Sequence, residues 1–552
     1  MTESESKIRL NIPMGDQLLY EGGWKVAEEL RSKVKRVRVA PQVKKIPGHA
    51  FFLCDKLIEL QLNEGLEVIG ESSFERCKSL QSVAVPSNVI ELGWRAFADC
   101  SGLIELQLKE GVQVIGVNVF RNCTALKIVT LPSSAIELRR GAFAHCKALI
   151  ELQLNEGLEV IGEDAFCGCK SLRNVNIPSS VTKLVNSAFA HCSSLIELQL
   201  KEGVQVIGAG AFRNCTALKN VSLPSSVIEL RRGAFANCIA LFEVKLNEGL
   251  QIIGDNAFHS CKSLRSVTIP STVMVLGESA FAFCSNLNEL QLNEGLRVIG
   301  SRVFAGCMAL RSVTIPATVT KWCSGAFVNC GNLIELQFNE GLQGIGELAF
   351  QGCRSLRSVT IPSTVTALGK RAFFHCSSII ELQLSEGLQV IGANAFSHCL
   401  SLRRVTLASS VAELGKWAFY DCRNMAEMFL NDGLQTIGAG AFEGCMALRS
   451  VTVPSTVTEL GSCAFQECLN LSEVIFLGGK RLLNQEFVAC GFEREEHGLL
   501  DREALDAMLF DENRYVAFDG CPELRTIKIS ISWVVSERMA RLPRECMLSV
   551  EE

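Results

Sequence analysis

The chain has 552 residues, 48% of them apolar and 20% charged, with a formal net charge of −5 and a pI near 6.0. That acidic balance excludes nucleic-acid binding driven by overall charge. No run of 18 apolar residues occurs, so no membrane-spanning helix is expected. The opening MTESESKIRL has no apolar core of a secretory signal, so none is expected.

Residues 1–30 read as an N-terminal cap, with Trp24 and Leu30 covering the first apolar edge. Residues 31–53 read as a first coil, with Val34, Val37, Val39, Val43, Ile46 and Phe51 inward. Nineteen cysteines then follow at one fixed interval, from Cys54, Cys77 and Cys100 to Cys445 and Cys468. A phenylalanine stands three residues before each. An aliphatic residue stands three after, Leu except at Ile379 and Met425. A fixed period of this size marks a solenoid, in which each repeat is one coil stacked on its neighbours. In the coil Cys77–Asp99, the inward set is Cys77, Leu80, Val83, Val85, Val89, Leu92, Ala96 and Phe97. Leu80, Val83 and Val85 lead into a short strand that Pro86 ends, because proline cannot donate to a ladder. Val89 to Leu92 offers a second short strand, Gly93 turns the chain, and Ala96-Phe97 opens a tight turn expected to be helical. Two coil types alternate, as LIELQLNEGLEVIG at 57–70 and a version of SLRSVTIPSTVxxLG at 263–277. The duplicated unit is therefore a pair of coils, and copying has multiplied surface positions along with core ones.

The segment SLRSVTIPSTVMVLGESAFAFC at 263–284 is similar, nearly position by position, to the repeat of the BspA-like leucine-rich repeat class. The resemblance covers about 31–490. It implies an α/β leucine-rich-repeat solenoid of about 20 coils, β-rich, with parallel sheets and short helical turns, capped at both ends. It also implies protein binding or surface adhesion and no catalytic residues. The asparagine ladder of ordinary leucine-rich repeats has no counterpart at its usual place, where Gly65 stands three after Leu62. Past Cys468 the register slips by one to Phe487 and Cys490. Residues 491–517 then read as an acidic helical insertion, and 518–552 as a last coil and C-terminal cap.

The strand surface carries charge in order. Glu59, Glu105, Glu151, Glu197, Glu243, Glu289, Glu335, Glu381, Glu427 and Glu473 recur in every second coil. One position earlier in the intervening coils stand Lys127, Arg173, Lys219, Arg265, Arg311, Arg357, Arg403 and Arg449. This pattern reads first as a self-neutralising cross-strand ladder. Its alternative is a polar recognition face, with Glu197, Gln199, Glu243, Arg265, Glu289, Gln291, Arg311 and Glu335 as candidate partner-binding residues. His375-Cys376 and His398-Cys399 fall in adjacent coils and offer a second, metal-dependent alternative. The cysteines fit a buried, reduced row of small apolar side chains. The sequons at Asn122-Cys123-Thr124 and Asn214-Cys215-Thr216 fall on the repeat template.

The expected function is that of a non-catalytic, cytoplasmic scaffold that binds a protein partner on its polar strand face, without cofactor, nucleic acid or membrane span. An extracellular adhesion or glycan-binding protein is the alternative. Weak head-to-tail self-association is a further expectation. It pairs the basic residues of 31–45 with the acidic residues of 493–512.

Overall fold

The structure, a computed structural model, describes residues 17–477 and 517–530. The acidic insertion through 516, and with it the acidic side of the expected head-to-tail contact, lies outside the described residues. So do the segment around Phe487 and Cys490 and the chain after 530. The chain divides into two compact units, Met1–Val273 and Met274–Glu552.

Both units are β-solenoids. Away from the ends, each described coil contributes one strand of two to five residues to each of two parallel sheet systems. In the first unit the longer strands begin at Gln17–Tyr20 and Arg36–Val39 and recur once per coil from there to Ser266–Ile269. The shorter strands run without a break from Lys45–Ile46 to Ile252–Ile253. In the second unit the longer strands run from Glu289–Leu292 to Glu473–Leu477. Thr526–Ser530 then pairs with Glu473–Leu477, which restores the coil expected at Phe518. Register is strict. Val129 faces Leu152, and Val313 faces Leu336, each partner one full coil further on. A slip of one residue would turn every inward side chain outward.

The core follows the expected stripe. All eight inward residues assigned to the coil at 77–99 are buried, as are the six assigned to 31–53. The phenylalanines form continuous stacks, with ring centroids 5.0–5.6 Å apart from Phe51 to Phe258. Tyr20 closes this stack, edge-on to Phe51 at 5.0 Å and to Trp24 at 4.7 Å. From Phe281 to Phe518 the spacing is 5.1–5.8 Å. The nineteen repeat cysteines are buried free thiols. They do more than fill space. Cys77 donates its thiol proton to the carbonyl of Phe51 in the preceding coil at 3.3 Å, and Cys330 does so to Phe304 at 3.2 Å.

The expected helical turns are not helices. The described residues hold one α-helix, Glu28–Arg31. The reason lies at two positions per coil, two residues before and two after the core phenylalanine. Ser72 and Arg76 around Phe74 have φ of 50° and 63°, and the same pair recurs at Arg95 and Asp99. Left-handed residues four apart cannot belong to one right-handed helix. Alternate amides therefore leave the coil. Ser72, Phe74 and Arg76 donate to Trp94, Ala96 and Ala98 of the next coil at 2.8 Å. The turn face is thus a third inter-coil ladder, and the α/β expectation gives way to a β-solenoid almost without helix.

Glycine after the short strand answers to close approach. A Cβ on Gly116 would collide with the Leu92 carbonyl oxygen of the preceding coil.

Candidate binding face

The long-strand sheet presents two polar columns to solvent. One alternates Glu mostly with Ser or Asn, with exceptions such as Ile128 and Arg404, and the other alternates mostly Gln with Thr, Ser or Asn, with exceptions such as Ala84, Lys245 and Phe429. In the first unit Glu197, Gln199 and Glu243 lie on this face, with Arg265 just ahead of its strand. In the second, Glu289, Gln291 and Glu335 lie on it, with Arg311 just ahead of its strand. Side chains cross-link the columns. Thr130 Oγ1 donates to Gln153 Oε1 at 3.4 Å, and Gln153 Nε2 donates to Glu151 Oε1 at 2.6 Å. Thr314 and Thr360 donate likewise to Gln337 and Gln383.

The self-neutralising ladder is not formed. Among the described residues, no ion pair joins Glu151, Glu197, Glu335 or Glu381 to Lys127, Arg173, Lys219, Arg311, Arg357 or Arg403. Register explains this. Glu151 stands opposite Ile128, while Lys127 sits one residue ahead of the strand, level with Ile150. The Lys127 carbonyl there accepts from both Ile150 and Glu151. Where an arginine occupies the strand position itself, the pair forms, as Arg404 Nε to Glu427 Oε2 at 3.3 Å. Glu243 pairs instead with Lys245 of its own strand at 3.4 Å.

The basic residues alternate with exposed aliphatic or aromatic ones. Ile104, Ile150 and Phe242 share their slot in the first unit, and Ile334 and Ile380 in the second, all 39–49% exposed. In the second unit Ile380, Ser401, Arg403, Asn424 and Ala426 line a depression of about 320 Å³.

The turn that follows the long strand carries two devices that the sequence reading missed. Several coils of the first type place an asparagine where their neighbours have proline. Asn63 Nδ2 donates to the carbonyls of Ala40 and Val43 in the preceding coil, both at 2.9 Å, and its Oδ1 accepts from Gly65 N. Asn155, Asn247 and Asn431 repeat the arrangement. An asparagine bridge therefore exists, two residues earlier than the place read as empty. The recurring Asn-Glu-Gly opposite Pro-Ser-Ser was the available signal. The second device is carboxylate clamping. Glu110, Glu202 and Glu386 accept from the paired serines of the next coil, at Ser133-Ser134, Ser225-Ser226 and Ser409-Ser410. Bonds from the backbone amide and hydroxyl of the first serine hold all three carboxyls below their usual range.

The histidine pair does not assemble with its cysteines. Cys376 and Cys399 point into the core and donate to the Phe350 and Phe373 carbonyls. His375 and His398 lie on the turn face, stacked at 4.3 Å. His398 Nδ1 meets Asp421 Oδ2 at 2.9 Å, and the other Asp421 oxygen accepts from Arg423 Nε. Burial, then His398, lowers the pKa of His375. Among the described residues no group of three or more His, Cys, Asp or Glu could hold a metal. The sequon asparagines are engaged as well. Asn122 donates to Asp99 Oδ1 at 2.7 Å, and Asn214 bonds the His191 ring at 3.2 Å.

Coils of one fixed length with a Phe–Cys–Leu core, parallel sheets on two sides and a polar outer face define a leucine-rich-repeat-like β-solenoid. A family profile described as "BspA type Leucine rich repeat region (6 copies)" matches residues 30–150, 136–265, 207–334, 251–380 and 343–472. The chain belongs to the BspA-type leucine-rich repeat family. Among solved structures it is similar to a leucine-rich repeat protein from Bacteroides ovatus, with 26% identity and a TM-score of 0.49, covering 72% of this chain and 88% of that one. It is also similar to a leucine rich cell surface protein from Faecalibacterium prausnitzii, with 22% identity and a TM-score of 0.34, covering 66% and 89%. A third is the pneumococcal vaccine antigen PcpA, with 19% identity and a TM-score of 0.35, covering 59% and 73%. No curated protein matches the chain.

Proposed function

We propose that this protein is a non-catalytic scaffold that binds a protein partner on the outer face of its long-strand sheet. The observation that carries the reading is the missing ladder. Charges that neutralised one another across coils would need no partner. Among the described residues, Lys127, Arg173 and Lys219 have no acidic partner, and they alternate with exposed Ile150 and Phe242. Exposed apolar residues interleaved with unpaired arginine and lysine match the anchors and steering charges of protein interfaces. The reading includes a reducing, cytoplasmic setting, in which the buried repeat thiols would stay reduced. No helix among the described residues is long and apolar enough to cross a membrane. Recovery of the native protein outside the cell with its thiols oxidised would shift the reading to adhesion.

The test is affinity capture from the native cell with wild type and with Lys127→Glu, Arg173→Glu, Lys219→Glu combined. These side chains are exposed, so the variant should melt like wild type. The expected outcome is loss of the specific partner. Unchanged recovery on a folded variant would contradict binding along this file.

A further inference from the structure

We propose that the leading edge of the long-strand sheet takes an extended acidic peptide segment, with apolar residues between its acids, laid across the coils. This rests on the reading of that sheet as the binding face and adds the partner's chemistry.

In the second unit, Arg311, Ile334, Arg357, Ile380 and Arg403 hold one slot in five successive coils, and all are exposed. Register keeps them in file, because the strand residues that follow them pair or pack coil upon coil. Among the described residues, Arg311, Arg357 and Arg403 make no ion pair. The file borders the depression that Ser401 and Asn424 help to line. Of its polar lining, Asn424 Nδ2 already donates to the Leu400 carbonyl. Beside it the file offers a ligand cations and aliphatic side chains. The first unit repeats the pattern with Ile104, Lys127, Ile150, Arg173, Lys219 and Phe242.

The interleaving favours a peptide over another polyanion. A phosphate or sulfate polymer would use the cations and leave the isoleucines wet. Nucleobases stack on aromatic rings, and the file in the second unit is aliphatic. Apolar residues of a peptide would cover Ile334 and Ile380 while its acids met the arginines. The adjoining Glu335 and Glu381 column repels an acidic chain displaced by one slot, which fixes its lateral position.

Spacing selects the conformation. Cations recur every second coil, about 9.6 Å apart at the parallel-strand spacing. A polyproline II segment advances about 9.3 Å per three residues. A β-strand repeats a face every ~6.7 Å, and a heptad helix every ~10.5 Å. An acid at every third residue in polyproline II conformation fits best.

Fluorescence anisotropy on the full chain at low salt tests this with labelled peptides of equal length. The probe carries five Glu-Leu-Pro repeats. Controls repeat Lys-Leu-Pro, Glu-Ser-Pro and Glu-Leu. The Glu-Leu-Pro probe is expected to bind saturably and to weaken as salt is raised. Binding should fall about tenfold or more with Arg311→Glu, Arg357→Glu, Arg403→Glu combined, and about fivefold with Ile334→Ser, Ile380→Ser combined. Circular dichroism melts verify that both variants are folded. No binding of Glu-Leu-Pro, or binding that ignores both variants, overturns the proposal. Equal binding of Glu-Ser-Pro, with indifferent isoleucines, would reveal a plain polyanion site and also overturn it. Equal binding of Glu-Leu would overturn the every-third-residue register. Should the peptide fail while the Lys127, Arg173, Lys219 variant still loses its native partner, the scaffold reading stands and only the peptide inference falls.

Discussion

Raising the pH above about 9 is expected to unfold this protein cooperatively. Burial pushes the thiols of Cys146, Cys238, Cys330, Cys376 and Cys422 from 9.0 to about 12. The sign follows from linkage. These groups are neutral in both states below pH 9, so their contribution is intact there. Above 9 the unfolded chain ionises first and binds fewer protons, and stability falls with pH until the folded thiols ionise near 12. Each thiol removes about 1.4 kcal/mol per pH unit in that window. Five such thiols would exhaust the stability of a typical domain within about two pH units. Their bonds to the phenylalanine carbonyls are lost as well. Thermal melts by circular dichroism between pH 7 and 11 should show Tm collapsing once pH passes 9. A flat Tm to pH 11 would mean that the thiols are not held neutral in the core.

The second large effect is at the phenylalanine stack. Phe212 is fully buried between Phe189 at 5.6 Å and Phe235 at 5.3 Å. Phe212→Ala removes apolar area, leaves a cavity and cuts the stack, for about 3–5 kcal/mol. Exposed Glu197→Gln should change stability by no more than about 0.5 kcal/mol. Denaturant melts of the two variants compare them directly. Equal shifts would mean that the assigned inward register is wrong.

The inward register was legible because apolar burial repeats with the coil. Phe, Cys and Leu at fixed offsets left one way to place each strand, and Val83, Val85 and Leu92 are buried as their alternation required. The turn face was not legible in the same way. Hydrophobic spacing around Ala96-Phe97 fits a helical turn, and φ is silent in an apolar pattern. The clue was the residue before each cysteine, often Asn, Asp, Gly or His, types that tolerate the left-handed region. The charge ladder failed for a geometric reason. Two rows offset by one residue look adjacent in a repeat alignment. In a strict parallel register Lys127 is level with Ile150, and Glu151 with Ile128. The same offset exposes the isoleucine and arginine file, which no count of charges reveals. The asparagine bridge escaped because Asn63 lies outside the position used in other leucine-rich repeats.

Carboxylate footprinting of the captured complex by mass spectrometry tests most directly whether the long-strand face binds the partner. Labelling of Glu151, Glu197 and Glu243 on the long strands is compared with that of Glu67 and Glu159 beside the short strands, with and without partner. All but Glu243, which is half-exposed, are exposed in the free protein. The expected result is protection of the long-strand carboxylates and unchanged labelling of the short-strand pair. Protection confined to Glu67 and Glu159 would place the partner on the short-strand sheet and contradict the proposed function.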